Sequence, residues 1–433
     1  MVVPRIMKFS FQSAPKPVSV EDKNWFSWTW QLQKSLKSHS DFSQAFTLSA
    51  SENQAFSDGG SELFNIRSTP YYASLAGADK NDPIRRILMP TANELTSGLQ
   101  SMLDPLGERK NNPAPRVIHR YPDRALFLVT DICSVYCRFC TRKHFTGQEQ
   151  AFIQESDYQQ ALEYFRTHAG IREVILSGGD PLTLGDAQLE RVLRDLRAIE
   201  HIEIIRIGTR MPVVCPMRVS ESLVKMIRKY APVFLMTHFN HPREVTLEAK
   251  NAVELFVDHG IPVMNQMVLL NGVNNHPAIV QALSRRLLFL RVKPYYMFQC
   301  DPSEGTDHLR TSIEESMEIQ RELWGSLSGL AMPNLSLDIP DGGGKAALVP
   351  EFEISRTAGA RQYQGWDGVQ AEYKNPPRDQ MIKPIDADQY QQEWNLLKNA
   401  KVVALARTPE SNSAESRRSP DPYSRSFQLP LSE

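Results

Sequence analysis

The sequence predicts an α/β protein built on a parallel sheet that curls toward a barrel. Apolar, β-branched runs alternate with helical patterns six times along the middle of the chain. After the first two runs they recur about every thirty residues, the length of one βα unit. The polar residues capable of chemistry follow the strands, where barrels and parallel sheets build their active sites. An open doubly wound sheet satisfies the same periodicity.

The elements follow in order. In residues 1–110 the clearest helix is Asn24 to Lys37, where Trp25, Trp28, Leu32 and Leu36 recur at helical spacing and Phe26 and Trp30 widen the apolar face. Segment 49–86 is rich in Ser, Gly, Asp and Asn and reads as loop with short helices, and 90–104 as a further short helical region. Strands are expected at 125–130, 173–176, 203–207, 232–236, 261–269 and 291–298, with helices at 156–168, 187–199, 220–230, 243–259 and 277–290. The chain thus divides into a helical extension, 1–110, a strand–helix unit, 111–330, and a C-terminal segment, 331–433. From about Arg407 that segment is rich in Ser, Pro and Arg, and reads as disordered or as an arm on a neighbouring subunit.

Composition narrows the function. With 49 basic and 50 acidic residues the net charge is −1, so no global field favours nucleic acid or an anionic membrane. No apolar run is long enough to span a bilayer, and no apolar leader with a cleavage site is found. Of five cysteines three share one short run, which argues against a disulfide framework and for a cytoplasmic protein in a reducing compartment.

Those three, Cys133, Cys137 and Cys140, are spaced C-x3-C-x2-C directly after the first strand. A structural zinc site takes four protein ligands, whereas three thiolates on a four-iron cluster leave one iron open to a substrate or cofactor. A zinc site completed by His144, the nearest candidate, is the competing reading. After the second strand comes Ser177-Gly178-Gly179-Asp180, in which two glycines let backbone approach a ligand and Asp180 suits a ligand ammonium; a capped tight turn explains the same residues. His238 and His241 stand three apart after the fourth strand, and His238 reads as a hydrogen-bond donor into the pocket rather than a metal ligand. Cys215 and Cys300 read as core thiols.

Lys345 ends the run Asp341-Gly342-Gly343-Gly344-Lys345, whose spacing is not that of a P-loop. A lysine on such a loop suits Schiff-base chemistry with an aldehyde; a solvated turn is the alternative. In His119-Arg120-Tyr121-Pro122-Asp123-Arg124 two arginines braced by Asp123 suit a phosphate, or form a solvated ion-pair cluster. Arg142 and Lys143 suit a carboxylate, or balance the charge of a cluster.

The motifs CSVYCRFCTRKHFTG, LSGGDPL, HRYPDR, THFNHP, QCD and DIPDGGGK stand in the order found in the lysine 2,3-aminomutases of the radical S-adenosylmethionine (SAM) superfamily, which the chain resembles over roughly residues 20–370. The resemblance implies a radical SAM partial (β/α)6 barrel with a helical N-terminal and an irregular C-terminal extension. Cys133, Cys137 and Cys140 would hold a [4Fe–4S] cluster. Ser177, Gly178, Gly179, Asp180, His238 and Gln266 would bind SAM. Lys345 would carry pyridoxal 5′-phosphate (PLP), with Arg120, Tyr121 and Arg124 around it. The implied reaction interconverts L-lysine and β-lysine through a SAM-derived 5′-deoxyadenosyl radical and a PLP imine, with an electron from a flavodoxin- or ferredoxin-type donor.

Substrate choice rests, by the same resemblance, on Arg142 for the carboxylate and on Asp301 and Asp338 for a side-chain ammonium, which must be paired once buried. Arginine is the second choice, glutamate is disfavoured by like charge, and a radical SAM enzyme of another reaction type is the remaining alternative. Several lysine aminomutases bind zinc through C-terminal cysteines; this chain has none after Cys300, so no structural zinc is expected. A homo-oligomer is implied by resemblance alone.

Overall fold

The structure is a computed structural model that describes residues 9–57, 64–96, 98, 100–143, 151–357, 359–388, 390, 391 and 395. His144 and the tail from Arg407 lie outside these residues. Its centre is a nine-stranded sheet whose strands neighbour one another in chain order, from β1 to β9. These are β1 (Val117–Tyr121), β2 (Arg124–Thr130), β3 (Glu173–Gly178), β4 (Ile204–Gly208), β5 (Val233–Thr237), β6 (Val263–Leu269), β7 (Val292–Gln299), β8 (Asn334–Ile339) and β9 (Gly344–Ala347). From β2 to β8 every pairing is parallel. The outer pairings, β1 with β2 and β8 with β9, are antiparallel.

The six strands expected from the sequence are β2 to β7. Their helices are Glu155–Thr167, Asp186–Arg197, Glu221–Arg228, Leu247–Asp258 and Pro277–Phe289, within a few residues of expectation. The periodicity that predicts them also packs them: Asp186–Arg197 buries Leu189, Val192, Leu193 and Leu196, one stripe at helical spacing. Along β6 burial alternates, with Val263, Asn265, Met267 and Leu269 buried and Met264, Gln266 and Val268 half-buried. Gln266 and Val268 face a cavity at the carboxyl ends of the strands.

Four local differences have physical reasons. The expected helix Asn24–Lys37 is two short ones, Asp22–Trp25 and Trp28–Gln33, because the Ser27 hydroxyl accepts from the Trp30 N–H and starts a new helix. Phe26 at that break is exposed, not on the buried face. The motif HRYPDR, ahead of the first expected strand at 125–130, forms the end of β1 and the turn of a hairpin that pairs Tyr121 with Arg124. The predicted helix 243–259 begins only at Leu247, after the Thr246 hydroxyl caps the Ala249 N–H. Beyond the barrel strands, the helix Ile313–Leu323 leads to β8, and β10 (Glu353–Arg356), β11 (Ala360–Gln364) and β12 (Gln370–Lys374) form a small antiparallel sheet.

No helix among the described residues is long and apolar enough to cross a membrane.

Candidate active site

A cavity of about 530 Å³ opens at the carboxyl ends of the strands. It is lined by Cys133, Cys137, Cys140, Arg142, Ser177, Gly178, Gly179, Asp180, His238, Gln266, Asp301, Asp338 and Lys345, and by Arg120, Tyr121 and Arg124 from the hairpin. Residues 225 positions apart in sequence thus share one chamber, Arg120 from the hairpin that leads into the amino end of β2 and Lys345 from β9.

The cysteine loop follows β2 and is held from outside the barrel. Between the cysteines, the Tyr136 N–H donates to the Arg67 carbonyl and the Arg138 N–H to that of Ile87, both at 3.0 Å. The fully buried Arg138 guanidinium turns away from the cavity, pairing with the buried Glu94 and donating to the Asn65 carbonyl. Cys137 Sγ accepts from Arg210 Nη1 at 2.6 Å, and Cys140 Sγ from the Arg142 N–H at 3.3 Å. The Arg142 N–H favours the Cys140 thiolate, but burial outweighs it and pushes that thiol up. Burial, then the neighbouring charges of Asp180 and the other cysteines, pushes the Cys133 thiol up, so a metal binding there displaces a proton. Among the described residues no three His, Cys, Asp or Glu side chains stand close enough to grip a single ion. A four-iron cluster is a wider guest than one ion.

The glycine turn lines the cavity and also packs against the cysteine loop. A Cβ on Gly178, at φ +114°, would sit 2.2 Å from the Thr130 carbonyl oxygen, and one on Gly179 2.2 Å from that of Ile132. The glycines therefore let the turn after β3 lie against the start of the cysteine loop, and the Gly179 and Asp180 N–H groups donate to those two carbonyls. The Asp180 carboxylate accepts from the Thr209 hydroxyl at 2.6 Å, the Arg210 N–H at 2.7 Å and the Leu182 N–H at 3.0 Å. It caps the turn, as the alternative reading had it.

His238 is half-buried in the cavity wall against Phe139, its buried Nε2 without a partner among the described residues. Desolvation, then the nearby Arg210 charge, lowers its pKa to about 3, so it is a neutral imidazole. His241 instead caps a short turn, its Nδ1 accepting from the Arg243 N–H. Cys215 and Cys300 are buried and free.

At the β8–β9 hairpin, Lys345 Nζ lies 3.0 and 3.1 Å from the two oxygens of Asp338, the residue paired with it across the strands. Arg120 Nη2 donates to the same carboxylate at 3.2 Å, and the Tyr121 hydroxyl accepts from the Lys345 N–H at 3.0 Å. The Arg120 and Arg124 guanidinium carbons lie 5.1 and 3.9 Å from the centre of the Tyr121 ring. Asp123 pairs with Arg124 alone; Arg120 turns to Asp338, so the expected bracing of both arginines by Asp123 is halved. Asp301 is half-buried, and its buried Oδ1 has no hydrogen-bond partner among the described residues. Desolvation, then the charge of Asp338, pushes its pKa up to about 7.

Sequence reasoning missed two partners. Glu108 binds Arg142 side-on, through Nε at 3.0 and 2.9 Å and Nη2 at 2.5 Å, while Arg142 Nη1 donates to the Ser177 hydroxyl at 2.9 Å. Arg210 ties Cys137 to the buried Glu244, at 2.7 Å, and to the Tyr72 hydroxyl, at 3.0 Å. Arg210 carried a signal, its place just after β4; Glu108 carried none.

Comparison with known proteins agrees with this geometry. Residues 127–280 match the family model of the radical SAM superfamily, and residues 320–414 that of lysine-2,3-aminomutase. The chain is 42% identical over 359 residues to an L-lysine 2,3-aminomutase of Fusobacterium nucleatum, covering 83% of this chain and 84% of that protein. It is 41% identical over 358 residues to that of Clostridium subterminale, covering 82% and 86%. A glutamate 2,3-aminomutase of Clostridioides difficile is 38% identical over 357 residues, covering 82% and 84%. The protein is an enzyme, an isomerase, and the chain belongs to the lysine 2,3-aminomutase family of the radical SAM superfamily.

Proposed function

We propose that the protein is an L-lysine 2,3-aminomutase that interconverts L-lysine and β-lysine using a [4Fe–4S] cluster, SAM and PLP. The observation that carries this reading is that Lys345, two acids and three cysteines line one cavity. When bound, the cluster and SAM supply a 5′-deoxyadenosyl radical that takes hydrogen from the substrate Cβ, and PLP supplies the π system across which the amino group passes from C2 to C3.

The chain's own residues bind and orient. Cys133, Cys137 and Cys140 hold the cluster, with N–H groups of Arg210 and Arg142 donating to two of the sulfurs. The turn Ser177 to Asp180, with His238 and Gln266, forms the SAM surface; Asp180 contributes through the turn it caps. Arg120 and Arg124, either side of Tyr121, suit a phosphate. Lys345 is the carrier lysine, and Asp338 holds its ammonium until that nitrogen is committed. Asp338 and Asp301 then receive the substrate's terminal ammonium, while Arg142 takes its carboxylate. Burial of the chamber keeps water from a reactive radical.

The acids also decide the substrate. A glutamate side chain would meet two carboxylates and be repelled, while a guanidinium, like an ammonium, would be paired. Residues 111–330 are proposed as the barrel unit, 1–110 as the extension that anchors the cysteine loop, and 331–433 as the lysine-bearing segment. A reducing cytoplasm, an external flavodoxin- or ferredoxin-type donor and a homo-oligomeric state complete the reading.

The test is anaerobic incubation of reconstituted protein with SAM, PLP, reductant and single amino acids, followed by separation of isomers of unchanged mass. Lysine should give β-lysine fastest, with arginine far behind and glutamate inert. A clear preference for glutamate would overturn the assignment.

A further inference from the structure

Residues 102–111 belong to no regular strand, yet they touch every loop that bears a proposed substrate contact. Met102 exchanges backbone hydrogen bonds with Pro302 and Glu304, beside Asp301. The Leu106 carbonyl accepts from Arg120 Nη1 at 3.1 Å. The Pro105 carbonyl accepts from the Asp341 N–H at 2.9 Å, in the loop before Lys345. Gly107, at φ +60°, lies so close to that loop that a Cβ would meet the Asp341 carbonyl group at 2.9 Å. Next to it stands Glu108, 5% exposed, whose backbone is fixed by Asp104 Oδ1 accepting from its N–H at 2.9 Å.

Glu108 takes the Nε and Nη2 side of Arg142, and Ser177 takes a proton of Nη1. A guanidinium is planar, with five N–H groups in a fixed fork. Two partners on different nitrogens fix both its plane and its rotation. An arginine on a loop is otherwise free to swing.

We propose that Glu108 is a positioning residue for the substrate carboxylate. It holds Arg142 at a set distance from the Asp301 and Asp338 acids, and the segment 102–111 that carries it is fastened to both ends of that span. The cavity would thereby measure the length between carboxylate and terminal cation. This deepens the proposed function and rests on its assignment of Arg142.

The experiment compares L-lysine with L-lysinamide, which keeps both amino groups and lacks the carboxylate. Each is titrated anaerobically into PLP- and SAM-loaded protein without reductant, and binding is read from the absorbance of the bound PLP. Glu108→Ala should weaken lysine about tenfold or more and leave lysinamide within about twofold. Glu108→Gln, which keeps one acceptor and the side-chain shape, should fall between, and carries the test if the alanine variant folds poorly. Equal weakening of both ligands would reduce Glu108 to a structural role, and tighter lysine binding would make it a competitor of the substrate; either result overturns the proposal. Arg142→Ala serves as the reference: if it fails to separate the two ligands, the Arg142 assignment is what has failed.

Discussion

Lys345 and Asp338 face each other across the β8–β9 hairpin, with the ammonium 3.0 Å from Oδ1 of the carboxylate. One acid therefore answers to two cations of the protein, Lys345 and Arg120, while its neighbour Asp301 answers to none by hydrogen bond among the described residues. In the proposed reaction Lys345 would hold PLP, and Asp338 would face the substrate's terminal ammonium while still paired with Arg120. Asp301 is available throughout.

Asp301→Lys places a cation where the substrate ammonium is to bind. Lysine turnover should be lost, while reductive cleavage of SAM, which needs the cysteine loop and not the acids, should remain measurable. Product chromatography for β-lysine and for 5′-deoxyadenosine reads both from one reaction. Unchanged β-lysine formation would remove Asp301 from the substrate pocket.

Asp301 also predicts a pH dependence. Its pKa rises from 3.8 to about 7 in the folded protein, chiefly through burial. The folded state therefore holds the proton more tightly than the unfolded state. This contribution is fully present below pH 3.8 and is lost as pH rises through 7, a change on the order of 4 kcal/mol. An arriving ammonium needs the ionised acid, so lysine affinity should increase with pH up to about 7 and then level off. Asp301→Asn should remove that component from the profile and make the ligand-free protein melt higher at pH 8. Calorimetric titration and melting across pH 5.5–8.5 check both; parallel profiles for the two proteins would sink the idea.

Glu94→Ala leaves the buried Arg138 charge uncompensated between two cysteines. Breaking a buried pair from one side costs about 3–5 kcal/mol. The variant should melt well below the parent and retain less iron after anaerobic reconstitution, although Glu94 touches no cysteine side chain. Full iron occupancy with unchanged stability would show that the loop does not depend on this anchor.

The barrel was legible because its strands, buried on one face and mostly half-buried on the other, read as apolar runs, and because polar residues cluster at their carboxyl ends. β1 was hidden: VIHRY has the polar content of a loop, and its strand character comes from pairing with β2. The cavity residues were legible one motif at a time, since each motif sits on a single strand end. Their partners were not. Glu108 lies in DPLGERKN, which has no periodicity, and its position is set by Asp104, Gly107 and a loop over two hundred residues away. Arg138 was masked by the cysteines on either side, and only its packing shows that it faces Glu94. Asp180 is a further case: its motif suited a ligand ammonium or a capped turn, and only the contacts show its oxygens engaged by Thr209 and Arg210.

The most direct measurement uses L-lysine deuterated at C3, with SAM, PLP and reductant, and follows the label into 5′-deoxyadenosine by mass spectrometry. The wild-type protein should transfer deuterium, and Lys345→Ala should cleave SAM without acquiring the label, because the substrate is no longer held beside the radical. Equal labelling in both proteins, or none in either, would contradict a single chamber in which the cysteine loop and Lys345 act on the same lysine.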